Sequence, residues 1–215
     1  MKYGETVFDI AYLLFAIGTG IFVLTKKKDK TGRLMGISAL ILGIGDAFHL
    51  IPRVAAYYTE NDLTAWLGFG KLVTSLTMTV FYVLLFYLHT NLYEWESKRD
   101  QKISAISVFL VSITRFTICF ASGNKWLSGG SSVTWGILRN IPFVILGAWI
   151  IGIYFVKRDQ AANFRRMWLY VLLSFLFYIP VAVFASVLPL LGMLMIPKTI
   201  CYMLMLGIFI KEART

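Results

Sequence analysis

The stretch SALILGIGDAFHLIPR, residues 38–53, is apolar enough to lie inside a membrane, yet it carries Asp46, His49 and Arg53. On a helix, positions 38, 42, 45/46, 49 and 53 form one stripe, because residues three and four apart sit above one another. An ionisable group at bilayer depth costs about 2.5–3.5 kcal/mol on insertion scales, so such groups face a bundle interior or a wet cavity. The stretch therefore predicts a bundle of membrane-crossing helices with a polar site inside it.

The remainder of the chain agrees with that reading. Its 215 residues are 58% hydrophobic and only 15% charged, with a mean hydropathy of +0.72. A soluble domain carries about 25% charged residues. A span takes about 20 apolar residues. Seven fit, at about 6–25, 34–55, 66–89, 103–121, 135–156, 167–186 and 194–210. The expected fold class is an all-α membrane protein: one seven-helix transmembrane domain over residues 1–215, with no room for a separate catalytic domain. The opening MKYGETVFDI lacks a basic n-region and a small-residue cleavage site, so the first helix is expected to be retained.

A net charge of +10 would suit nucleic acid if it were spread over one surface. Instead, fourteen of the 21 lysines and arginines fall in four short segments: 26–33, 98–102, 157–166 and 211–214. All four lie at ends that seven alternating spans bring to one side. That is the positive-inside pattern, and it predicts N-outside/C-inside in the plasma (cytoplasmic) membrane. The partners expected are membrane lipids and a small anionic ligand, with no nucleic acid; a homo-oligomer is compatible with the sequence. Trp66, Trp126 and Trp135 are placed at the outer interface, and Trp95 and Trp168 at the inner one.

The two ends of the chain echo each other. GIFVLTKK (20–27) resembles GIYFVKR (152–158), and FGKLVTS (69–75) and IPKTICY (196–202) each place a lysine early in a span. The reading is a 3+1+3 parallel internal repeat, residues 5–90 and 133–211, with a linker helix at 103–121. This plan resembles that of the sugar-efflux and PQ-loop transporters, in which sites lie at the repeat interface, although the Pro-Gln signature is absent here. Seven helices and Lys198 in the last one also resemble the retinal proteins. Lys198 is too near the helix end for that role, and span 3 offers no aspartate counterion.

Lys71, Ser75, Thr79 and Tyr82 form a second polar stripe in span 3. In the predicted topology Asp46, His49, Arg53, Lys71, Arg115, Arg139 and Lys198 all fall in the outer half, above an apolar plug. Asp46 is the deeply placed acid, expected to pair with Lys71 or Lys198, while Asp9, Glu60 and Asp62 are placed at the rim. The cationic excess calls for an anion, and guanidinium forks suit carboxylate or phosphate. The expected ligand-binding set is Asp46, His49, Arg53, Lys71, Ser75, Arg115, Arg139, Asn140, Tyr178, Lys198 and Tyr202. Gly45 and Pro180 are candidate flex points, and the loop SGNKWLSGGSSVTW (122–135) is a candidate lid or gate.

Each of these residues also has a structural reading. Arg53 and Arg139 can snorkel to the interface, Asp46 and Lys71 can be a structural pair, and His89 is assigned to the inner interface. Cys119 and Cys201 read as small apolar residues. With two histidines and no Cys/His spacing, neither a metal nor a cofactor is expected. No phosphate-binding glycine motif or nucleophile elbow is present. The function expected is binding and transport of a small anionic solute or anionic lipid through an outward-facing basic cavity. The alternatives are a ligand-sensing receptor acting through a cytoplasmic partner, and a lipid or phosphoester hydrolase using Asp46 and His49 as an acid–base pair.

Overall fold

A computed structural model of the chain describes residues 2–128, 133–184 and 188–215. Seven α-helices in it are long and apolar enough to cross a membrane: α1 (Lys2–Lys26), α2 (Lys30–Ala55), α3 (Thr64–Leu92), α4 (Lys98–Phe120), α5 (Val133–Val156), α6 (Met167–Phe184) and α7 (Met195–Arg214). No strand occurs among the described residues. The protein is therefore an all-α, multi-pass membrane protein. The expected spans match these helices to within a few residues. The predicted end of span 6 at Ser186, and residues 129–132 of the candidate gate, lie outside the described residues.

Local sequence explains where the helices begin and end. Asp29 caps α2 by accepting the Gly32 amide at 2.7 Å, and Ser97 caps α4 by accepting the Arg99 amide at 3.1 Å. Both satisfy amides that a first turn leaves orphaned. Lys26, Lys211 and Arg214 occupy last turns, where cations suit the helix dipole.

Sequential helices are neighbours around the bundle, and α7 closes it against α1, while α3 also touches α5 and α2 touches α7. The α2–α3 pair shares the most extensive contact. A Cβ at Gly45 would land on the Thr77 side chain, and one at Gly70 on the Phe48 carbonyl. Thr74 Oγ1 donates to the Gly45 carbonyl at 3.0 Å across this seam. Gly45 is thus a close-contact residue of the α2–α3 seam. Without a hydrophobic drive between helices in lipid, small residues permit the backbone approach that gives packing energy.

The bundle has two distinct ends. At the end holding Lys2, called here the amino end, Arg53 Nη2 and the Tyr57 hydroxyl both donate to the Glu5 carboxylate. At the carboxyl end, Lys27 pairs with Glu212 at 2.9 Å and Asn163 donates to Glu212 at 2.8 Å. Between them lies an aromatic stack. Tyr82 meets Phe143 at 5.2 Å and Phe175 at 5.4 Å, and Phe81 meets Tyr202 at 6.1 Å. Such edge-on and tilted pairs add to the area burial of this mid-bundle layer.

Nearer the carboxyl end, His89 is only 2% exposed and sits against Tyr93, Trp95 and Tyr154. Its Nε2 lies 3.1 Å from the Ile153 carbonyl. It is buried within the bundle three residues before the end of α3, packed against Trp95, which is expected at the inner interface.

Candidate functional site

At the amino end a cavity of about 390 Å³ opens between α1, α2, α3 and α7. Of the expected ligand-binding set, Asp46, His49, Arg53, Lys198 and Tyr202 line it, joined by Glu5 and Asp9 from α1 and Thr74 from α3. Positions 46, 49 and 53 fall on one stripe of α2, and α1 and α7 are the helices packed over that stripe.

Asp46 does not pair with a lysine. Its Oδ2 accepts the Tyr12 hydroxyl at 2.6 Å, and no ion pair involves Asp46, Lys71 or Lys198 among the described residues. Tyr12 is 1% exposed. A short hydroxyl–carboxylate bond of this kind is charge-assisted and holds the acid's orientation. Arg53, expected in the basin or snorkelling, spends its guanidinium on Glu5 at the cavity mouth.

Lys198 is 8% exposed. Its ammonium lies 4.6 Å from the Tyr178 ring centre and 5.3 Å from that of Tyr202. Ring faces attract the cation, but they do not replace a counter-charge. A buried acid and a buried base thus line one cavity without closing on each other. His49 Nδ1 and Asp9 Oδ2 are also buried without a hydrogen-bond partner.

The charge balance here differs from the expected cationic excess. Glu5, Asp9 and Asp46 face Arg53 and Lys198, with His49 beside them. Asp9 is buried at 8% exposure and not at the rim. Glu5, Asp9 and Tyr12 follow a helical i, i+4, i+7 spacing, so the sequence itself carries this second polar stripe on α1.

The remaining cations lie elsewhere. Arg115 on α4 is 2% exposed, with its guanidinium 3.6 Å from the Phe143 ring centre. Its Nε and Nη1 have no hydrogen-bond partner. Arg139 on α5 donates to Asn124 Oδ1 at 3.0 Å and lies over the Trp126 ring at 4.6 Å. Asn140 Oδ1 accepts the Tyr178 hydroxyl at 2.7 Å. This second cluster occupies the α4–α5–α6 side and meets the cavity at Tyr178, whose ring Lys198 rests on and whose hydroxyl Asn140 accepts.

Lys71 is exposed on α3 and Ser75 donates to its carbonyl at 2.7 Å; neither lines the cavity, although the Lys71 charge acts on His49 from beside it. The described part of the candidate gate is a clasp. Asn124 Nδ2 reaches the Ile118 and Ala121 carbonyls at 2.6 and 3.1 Å, and Trp126 Nε1 the Cys119 carbonyl at 2.8 Å.

Chemically, the cavity can hold a small polar solute between an ammonium and carboxylates. Asp46 and His49 share it, but no hydrogen bond joins them, and Ser38 is buried with its hydroxyl on the Leu34 carbonyl at 2.7 Å. Among the described residues no group of three or more histidine, cysteine, aspartate or glutamate side chains could hold a metal ion. Comparison with protein-family models, with curated proteins and with solved structures finds no match to this chain, so the cavity itself carries the functional reading.

Proposed function

We propose that this membrane protein binds and transports a small solute through the amino-end cavity, with the solute's anionic group, a carboxylate or phosphate, held by Lys198. The observation that carries the reading is Lys198 itself: a buried ammonium lining a 390 Å³ cavity, resting on two ring faces and attracted by Asp46 with no carboxylate closed on it. That volume is at the lower end of the roughly 300–1,000 Å³ typical of small-molecule sites.

Three carboxylates share the cavity. An anion alone would meet their repulsion, so the best-matched solute also bears a cationic group for Asp46 or Asp9. A zwitterion of amino-acid size satisfies both. We read the amino end as outside and the carboxyl end as cytoplasmic, in the plasma membrane, from the basic segments at 26–33, 98–102, 157–166 and 211–214. We read α1–α3 and α5–α7 as parallel repeats related through α4, which would put the cavity at the α1/α2–α7 junction between them.

The test is thermal stabilisation of the purified protein by a panel of amino carboxylates, dicarboxylates, inorganic phosphate and simple amines. A zwitterion is expected to stabilise most, and Lys198→Met to abolish the effect. If no class stabilises, or if Lys198→Met responds like the parent, the reading is wrong. The rival reading is a receptor with the same cavity and no conduction. It is favoured by the aromatic stack, which closes the bundle below Tyr202. Proteoliposome counterflow separates the two, because only a transporter exchanges labelled solute across the bilayer.

A further inference from the structure

The carboxyl end holds a larger cleft, about 840 Å³, between the start of α6 and the end of α7. Arg158, Arg165, Arg166 and Lys211 rim it. Its walls are Trp168, Met203 and Leu204, and at Gly207 an added Cβ would meet nothing within 4 Å, so the floor is open there.

Its acids are already engaged. Asp159 is shared by Arg165 at 3.2 Å and Arg158 at 3.6 Å. Glu212 is taken by Lys27 and Asn163. Among the described residues Arg166 and Lys211 have no ion-pair partner. The rim therefore carries a cationic excess that the protein itself does not neutralise.

Depth identifies the occupant. Arg166 immediately precedes α6 and Lys211 lies in the last turn of α7, which is headgroup level for helices that cross a bilayer. Leu204 is seven residues deeper on α7, about 10 Å along the axis. The cleft thus runs from a cationic mouth at the headgroups to an apolar trough at acyl-chain depth, where the surrounding molecules are lipids.

We propose that this cleft binds one anionic phospholipid, its phosphate between Arg166 and Lys211 and an acyl chain along Leu204, Gly207 and Trp168. Basic pockets between membrane helices recognise anionic headgroups by the same combination of charge and depth. The site is distinct from the amino-end cavity and independent of which solute that cavity takes.

The test uses the full chain in neutral detergent and native mass spectrometry. Phosphatidylglycerol is titrated against phosphatidylcholine with the same acyl chains. One tightly held phosphatidylglycerol is expected. The double variant R166Q/K211Q should lower the preference by roughly 25-fold, about fivefold for each cation. The control K28Q/K30Q removes the same charge from another basic segment and should leave the preference unchanged. Gly207→Leu fills the trough with every charge kept and should also displace the lipid. Phosphatidylglycerol with brominated chains should quench tryptophan fluorescence more than its choline counterpart, and Trp168→Phe should remove the excess.

The proposal fails if R166Q/K211Q keeps the preference, or if K28Q/K30Q loses it equally, which would indicate diffuse attraction. Complete displacement by inorganic phosphate at physiological salt would make the cleft an ion site and not a lipid site. Quenching indifferent to Trp168 would place the chain elsewhere.

Discussion

Replacing Lys198 by methionine tests the central reading through its sign. Methionine matches the length and apolar stem of lysine and removes the charge. In the parent the ammonium is buried, has no carboxylate within ion-pair distance, and gains two ring contacts at 4.6 and 5.3 Å. Two desolvated cation–π contacts together offset about 2–4 kcal/mol. Removing an ammonium from water costs several kcal/mol even after relaxation. With Asp46 acting on the ammonium only across the cavity and without an ion pair, the net favours the neutral side chain by about 1–3 kcal/mol. A chain of this size should show that as a rise in melting temperature of about 2–4 °C per kcal/mol. The assay is thermal unfolding in detergent, with and without the stabilising solute. The empty variant should melt higher than the parent, and the solute's increment should vanish. A variant that melts lower, by 1 kcal/mol or more, would show that Lys198 is a structural partner of Asp46, and would refute the idea that its charge is held in readiness for a ligand.

Four further substitutions probe the scaffold. Tyr12→Phe leaves Asp46 Oδ2 without the hydroxyl it accepts at 2.6 Å; it should destabilise by about 1–3 kcal/mol and weaken solute binding, both read in the same thermal assay. Gly45→Leu drives a side chain into Thr77 on α3; overpacking of about 1–3 kcal/mol should appear as a lower melting temperature, and a neutral result would mean that α2 and α3 are not in close contact. Arg115→Lys keeps the charge but loses the planar stack 3.6 Å from the Phe143 ring; it should cost about 1 kcal/mol in melting stability, whereas Lys71→Gln, on an exposed face, should change nothing measurable.

The seven helices were legible because each depends on its own residues. A run of about 20 apolar side chains must hydrogen-bond its own backbone in lipid, so the helix follows from the local sequence alone. The α2 stripe was legible for the same reason, since 46, 49 and 53 share a face on any helix. The Asp29 and Ser97 caps lie likewise within three residues of what they cap.

What the sequence could not decide was which stripes face each other. A helical wheel assigns an angle within one helix and says nothing of its rotation in the bundle. α3 turns Lys71 outward, so a residue that looked like a clamp is exposed. α1 turns Glu5 and Asp9 inward, so a basin expected to be cationic holds three acids. Lys198 rests on Tyr178 and Tyr202 while Arg115 and Arg139 stack on Phe143 and Trp126, and one expected site became two clusters. Sequence alone determined a membrane-crossing seven-helix chain with charge at one depth. Only the packing of seven rotated cylinders, set by where small residues such as Gly45 and Gly70 let backbones touch, decided which charges meet.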